Sequence, residues 1–270
     1  MTPTVRQALL QSGLVPLDAQ VLLAHVVQRT RAWLVAHASD ALGSSDAAAF
    51  LALARRRRDG EPVAYLTGER EFWGLAFRVG PDVLIPRPET ETLVELALAW
   101  LPAHRASRVL DLGTGSGAIA VAIASERAQA SVLAIDRSEQ ALVVARGNGA
   151  RHAAGNVTFA ASDWYAHLGD AQFDMIVSNP PYVAQSDPHL REGDLRHEPA
   201  SALASGLDGL AALRAIVAGA RAHLNDGGHL LVEHGYDQGE AVRDLFATAG
   251  FTEITTRRDL AGIPRVVGGR

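Results

Sequence analysis

Four consecutive residues, Asn179-Pro180-Pro181-Tyr182, carry the most legible chemistry in this 270-residue chain. They follow the apolar run 173–178, where a strand of an open α/β sheet would deliver a ligand-binding loop. Two prolines fix φ and remove two backbone donors, and they hold the preceding residues extended. What remains is the Asn179 amide and neighbouring backbone carbonyls as a rigid set of acceptors, with the Tyr182 ring beside them. Such a set suits a planar group bearing an NH2. The plain alternative is a strand followed by a proline-rich turn, and residues upstream weigh against it.

Those residues are Gly113-Thr114-Gly115-Ser116-Gly117, which leave the strand-like run 108–112 and enter an apolar helix at 118–124. Glycine lets the backbone turn sharply and come close to a ligand, and the following helix offers unpaired N–H groups. Asp136 closes the next strand about 20 residues on, the spacing of a carboxylate that accepts hydrogen bonds from ribose hydroxyls. The glycines do not follow the dinucleotide spacing, and an additional carboxylate, Asp111, precedes the loop. A negative charge there disfavours a pyrophosphate and suits a sulfonium-bearing cofactor, so S-adenosylmethionine is favoured over NAD. Ser162-Asp163-Trp164-Tyr165 follows the third strand. Its carboxylate and indole fit either an adenine edge or a packed domain corner.

The elements that must position these groups read as α/β. Strands are expected near 108–112, 131–135, 156–161, 173–178, 228–234, 251–258 and 265–268, alternating with helices, the pattern of a mainly parallel sheet covered on both faces. Between the last two strands Ala261-Gly262-Ile263-Pro264 leaves room only for a turn, so the final strand is expected to pair antiparallel at the end of a seven-stranded sheet. Residues 1 to about 65 read as helical, with Leu9, Leu10, Leu14, Leu17, Val21, Leu22, Leu23 and Val26 at helical spacing. The Arg55–Arg58 run reads as a solvated helix end, favoured there by the dipole. Residues 71–79 read as a hairpin around Gly74, and two prolines around Arg87 stiffen the segment after it.

Composition narrows the function classes. The chain is 48% hydrophobic and 20% charged, ordinary for a soluble globular protein. It carries a net charge of −5, with every one of its 25 basic residues an arginine. An acidic total argues against a protein whose main task is gripping a nucleic-acid backbone. The absence of cysteine removes disulfides, thiolate metal sites and a cysteine nucleophile. The ten histidines show no helical metal-site spacing, so no metal is expected. No apolar run has the length of a membrane span, and a cytoplasmic protein is expected.

Taken together these motifs resemble the HemK/PrmC family, the release factor glutamine N5-methyltransferases. The resemblance runs through nearly the whole chain. It includes residues 61–68, the Leu84-Ile85-Pro86-Arg87-Pro88-Glu89-Thr90-Glu91 segment, the glycine loop, Ser162-Asp163-Trp164, Asn179–Tyr182 and Leu231-Val232-Glu233-His234-Gly235. The proline-arginine-proline segment is its most specific part, because Asn-Pro-Pro-Tyr is shared with amino-methyltransferases of DNA and RNA. The resemblance implies a helical N-terminal domain for substrate recognition over 1–66, a β-hairpin linker over 67–87, and a Rossmann-like class I methyltransferase domain over 88–270. It implies S-adenosylmethionine as cofactor, with contacts at Gly113, Thr114, Gly115, Ser116, Gly117, Asp136, Trp164 and Asn179. Substrate contacts fall on Asn179, Pro180, Pro181 and Tyr182, with Asn179 and Pro180 catalytic. The implied partner is a class I peptide chain release factor, methylated on the glutamine of its Gly-Gly-Gln motif, with no membrane or stable nucleic-acid partner. Gly149 departs from the family, where an alanine commonly follows Asn148, and touches helix stability rather than chemistry. The alternatives are an N6-adenine or related nucleic-acid methyltransferase, which needs a basic face and base extrusion, and a non-catalytic protein that kept the fold.

Overall fold

Hydrophobic periodicity resolves into two compact units in the computed structural model, which describes residues 2–270. One unit runs to Glu69 and includes Gly193–His197; the other comprises Arg70–Glu192 and Glu198–Arg270.

The first unit is built of α1 (Val5–Gln11), α2 (Pro16–Val27), α3 (Arg31–Ala36), α4 (Ser44–Arg58) and α5 (Val63–Thr67). Local chemistry sets their ends. Thr4 and Gln7 form a capping box on α1, proline occupies the first turn of α2, and Thr30 caps α3. Leu22, Leu23, Leu34, Phe50 and Leu66 form the core of this unit. The helical stripe expected along α1 and α2 is only partly inward, since Leu10 and Leu17 are 76% and 56% exposed. The arginine run at the end of α4 is largely solvated, as expected, with Arg55, Arg56 and Arg58 exposed and only Arg57 half-buried. Arg56 pairs with Glu61, Arg57 with both Asp18 (2.7 Å) and Asp194 (2.6 Å), and Arg58 donates to the Ser12 carbonyl. Arg57 thus ties residues 193–197 into the helical unit.

The second unit opens with the hairpin β1 (Glu69–Phe72) and β2 (Leu75–Arg78). Its two turn residues, Trp73 (φ 54) and Gly74 (φ 69), both lie in the left-handed region, the turn that matches hairpin twist. Next come α6 (Glu91–Trp100), β3 (Arg108–Leu112), α7 (Ala118–Glu126), β4 (Ser131–Asp136), α8 (Glu139–Arg151), β5 (Val157–Ala161) and β6 (Phe173–Ser178). The chain closes with α9 (Ala200–Leu203), α10 (Ala211–Ala220), β7 (Leu224–Glu233), α11 (Gly239–Thr248), β8 (Thr255–Arg258) and β9 (Pro264–Gly269). The seven strands β3–β9 form one sheet in the order β5-β4-β3-β6-β7-β9-β8. All pairings are parallel except those of β9, which runs against both neighbours. The final strand is therefore the reversed one, as expected, but it sits one place in from the edge. Burial explains the order: Val266 and Val267 of β9 are fully buried, whereas the four residues of β8 are exposed and include two arginines, a composition suited to an edge.

This order also decides where a ligand can bind. From β3 the chain winds outward through β4 and β5, then returns to β6 on the other side of β3. The loops after β3 and β6 therefore diverge at the switch point, where open α/β sheets leave a crevice. Leu112 pairs with Ser178 and Ser178 with Val232, so the glycine loop, Asn179 and Glu233 leave the sheet side by side. Among the described residues, no helix is long and apolar enough to cross a membrane.

Candidate active site

The crevice is a cavity of about 360 Å³, within the range of small-molecule sites. Of the residues singled out from the sequence, Gly113, Thr114, Gly115, Ser116, Asp136, Trp164, Asn179 and Pro181 line it. Gly117, Pro180 and Tyr182 are not among its lining residues and adjoin ones that are.

Gly117 caps α7 with φ 81, and a Cβ there would lie 3.3 Å from Ala145 and 3.4 Å from the Phe159 ring. Its lack of a side chain serves the close packing of the α7 start on α8. Gly115 is the opposite case. A Cβ on it would meet nothing within 4 Å, so the loop leaves open space beside its backbone. The Trp164 ring lies over Gly113, 3.5 Å from where a Cβ would stand, held by a left-handed backbone with φ 46.

Asp136 secures the loop as well as facing the cavity. One carboxylate oxygen accepts the Gly115 N–H and the other the Ser138 N–H, each at 2.9 Å. Each oxygen keeps lone-pair capacity for a further donor. Asp111, expected to act as a standing negative charge, is fully buried and is not on the cavity wall. It accepts the Thr114 hydroxyl at 2.7 Å, and burial pushes its carboxyl up to about 7, helped by the charge of Asp136. It holds the loop through Thr114, while its other oxygen, Oδ1, is buried without a partner.

Asn179 is the pivotal side chain. Its Nδ2 donates to Thr90 Oγ1 at 3.0 Å, while its Oδ1 is buried without a partner. An unsatisfied buried acceptor costs about 1–3 kcal/mol, which a ligand donor would relieve. Two more such atoms, Glu233 Oε2 and His234 Nε2, follow at the end of β7. Glu233 is buried, and burial pushes its carboxyl up to about 7 against the opposing Thr90 and Tyr182 hydroxyls. Tyr182 donates to Glu233 Oε1 at 3.3 Å, and burial then the Glu233 charge push its phenol upward, so it stays protonated. Burial likewise lowers His234, whose neutral ring donates from Nδ1 to the Gly235 carbonyl.

Sequence reading missed the support behind the proline-arginine-proline rim. Glu198, wholly buried, pairs with Arg87 and accepts the Ile85 N–H at 3.0 Å. Pro86, Arg87 and Thr90 thereby line the cavity. No local pattern signals Glu198, since its partners lie more than a hundred residues away. Asn148, noticed only for its neighbour, is fully buried. It accepts the Arg78 N–H (2.8 Å) and donates to the Arg78 and Ser116 carbonyls (3.0 and 2.8 Å), bridging the hairpin to the glycine loop.

Comparison with known proteins agrees with this geometry. Residues 4–68 match the PrmC N-terminal domain, and residues 90–197 the methyltransferase small domain. The chain is 54% identical to the release factor glutamine methyltransferase of Burkholderia pseudomallei (strain K96243), covering 99% of this chain and 96% of that protein. It is 48% identical to the release factor glutamine methyltransferase of Escherichia coli (strain K12), covering 94% and 91%. The chain belongs to the release factor glutamine methyltransferase family. A methyltransferase from Pyrococcus furiosus shares the fold, with a TM-score of 0.55 at 18% identity over 80% of this chain and 95% of that one. As a member of the release factor glutamine methyltransferase family the chain is an enzyme, which removes the scaffolding alternative. Within the described residues, no cluster of three or more His, Asp or Glu side chains could hold a metal ion.

Proposed function

We propose that this enzyme transfers a methyl group from S-adenosylmethionine to the side-chain amide nitrogen of the glutamine in the Gly-Gly-Gln motif of class I peptide chain release factors. The observation that carries the reading is Asn179, which lines the cavity, has its amide nitrogen held by Thr90 and leaves its buried oxygen without a partner. The relatives' names favour this over the N6-adenine alternative, and a release factor as substrate implies action in the cytoplasm.

The donor set fits the cofactor. Open space beside Gly115, the indole of Trp164 and the spare acceptor capacity of Asp136 suit an adenosine, with Thr114 and Ser116 completing the loop. Bound there, S-adenosylmethionine supplies an electrophilic methyl group on a positively charged sulfur. The chain's own residues act on the other reactant. A glutamine amide nitrogen is a poor nucleophile, because its lone pair is delocalised into the carbonyl. Asn179 Oδ1 and the Pro180 carbonyl accept its two N–H groups, and these bonds strengthen as the nitrogen gains positive charge, which stabilises the transition state. The same two bonds aim the lone pair, a positioning effect. Pro181 lines the wall, and Tyr182, anchored on Glu233, backs it.

The test is to incubate the full chain with methyl-labelled S-adenosylmethionine and either an intact class I release factor or DNA, then locate the label by mass spectrometry. Label on the glutamine amide is expected. Label on an adenine amine, with none on the release factor, would reject the proposal.

A further inference from the structure

Prolines that stiffen a loop also deprive it of a means of being held. Pro180 and Pro181 carry no N–H, so the two residues between Asn179 and Tyr182 have no backbone donor to secure them. The loop must be fixed from its ends. At the near end Ser178 Oγ donates to the Leu112 carbonyl at 2.7 Å. At the far end the peptide joining Tyr182 to Val183 is held on both sides. Its N–H donates to the Leu203 carbonyl at 2.9 Å, and its carbonyl accepts from Gln238 Nε2 at 2.9 Å. The other head of Gln238 is occupied too, since Oε1 accepts the Gly235 N–H at 2.9 Å. One side-chain amide thus joins the turn after β7 to the loop after β6, and its orientation is fixed because one end meets an acceptor and the other a donor. Gly209 closes over the same carbonyl. With φ 76, a Cβ on it would stand 2.3 Å from the Tyr182 oxygen and 2.8 Å from Gln238 Nε2. Two locked φ angles leave little freedom between the Tyr182 carbonyl and that of Pro180. A shift at the first is therefore passed to the second rather than absorbed.

We propose that Gln238 is a positioning residue for methyl transfer, setting the Pro180 carbonyl at the angle where it accepts the second N–H of the substrate amide. The inference rests on the reading that a glutamine side chain enters this cavity, and it adds what aims the second acceptor of the loop. Gln238 is not among the residues lining the cavity, so it acts through the Tyr182 peptide. Gln238→Glu is the informative change. It keeps the shape of the side chain and the acceptor for Gly235. As a carboxylate, however, it sets an oxygen against the Tyr182 carbonyl, two acceptors without a proton between them. Protonated, the same group donates to that carbonyl again.

The experiment measures kcat and KM with an intact class I release factor for wild type, Gln238→Glu and Gln238→Met, from about pH 5 to about pH 8, a range that takes in a carboxyl raised by its setting. Calorimetry follows the affinity of each protein for S-adenosylhomocysteine. At the upper end of the range both variants should lose roughly tenfold to a hundredfold in kcat, the scale of a misaimed reactant, with cofactor affinity little changed. As pH falls, Gln238→Glu should regain activity relative to Gln238→Met, because its carboxyl takes up the proton that the Tyr182 carbonyl accepts. Every other titratable group is common to the two variants, so their ratio reports residue 238. Wild-type kcat in either variant, a ratio that stays constant with pH, or cofactor affinity that falls in step with kcat would overturn the proposal. If Gln238→Met fails to fold, the ratio of Gln238→Glu to wild type decides the matter alone. A wild-type enzyme that leaves the release factor unmodified would instead reject the underlying glutamine reading.

Discussion

Asn179 and Asp136 divide the work of the cavity, and substitutions should separate their roles. Asn179→Ala removes the acceptor whose bonds strengthen in the transition state. Its turnover should fall roughly a hundredfold or more, while S-adenosylhomocysteine still binds by calorimetry with affinity near that of the wild type. Undiminished turnover would contradict the proposed mechanism. Asp136→Ala should act on affinity. Its two oxygens hold the Gly115 and Ser138 N–H groups, so the change loosens the loop and removes a ligand acceptor together. Calorimetry should show cofactor affinity reduced by about tenfold to a hundredfold, as for the loss of one charge-assisted hydrogen bond. An unchanged dissociation constant would refute that assignment.

Helix α8 shows how an element carries the site without touching ligand. Its Asn148 clamps Arg78 of β2 and the Ser116 carbonyl, and one turn on His152 Nε2 hydrogen-bonds the Ala76 carbonyl at 2.9 Å. Gly149, the departure from the family, has a packing cause beyond helix propensity. A Cβ there would stand 2.7 Å from Phe159 Cε2, and the same ring lies 3.4 Å from where a Gly117 Cβ would be. The ring lies between the start of α7 and α8 and must shift to admit a Cβ at Gly149. Gly149→Ala should therefore destabilise the protein by about 1–3 kcal/mol, as overpacking does, despite alanine's better helix propensity. Urea denaturation should show the loss, and adding Phe159→Leu should recover much of it. A stabilised single variant would mean that the ring yields.

Global stability should carry the mark of the two buried carboxyls beneath the site. Asp111 and Glu233 rise from ordinary values of 3.8 and 4.5 to about 7. Well below pH 3.8 both are protonated in the folded and the unfolded chain alike, and their ionisation costs the fold nothing there. Between about pH 4 and 7 the folded protein keeps protons that the unfolded chain has lost, so their contribution to stability falls as pH rises through the window. Asp111→Asn removes that dependence at one position. The stability difference between wild type and variant, followed by thermal unfolding across pH 4 to 8, should shift in the variant's favour by on the order of 2–4 kcal/mol. A constant difference would show that Asp111 titrates normally.

Some of this was determined by sequence alone. Alternating helical and extended periodicity, a glycine loop followed by Asp136, and the short turn before Pro264 specify the sheet, its reversed strand and the loop at its switch point, because each is a pattern of neighbours along the chain. Asn179 and its prolines likewise announce a rigid acceptor. Tertiary structure decided what those groups face. It placed Thr90 against Asn179, Glu233 against Tyr182 and Glu198 beneath Arg87, turned Asp111 inward, and set β9 inside β8. Each rests on a side chain meeting a partner distant in sequence, or on which of two strands is the more apolar. Periodicity does not record pairings of that kind, because burial and hydrogen-bond satisfaction are settled only when the elements pack.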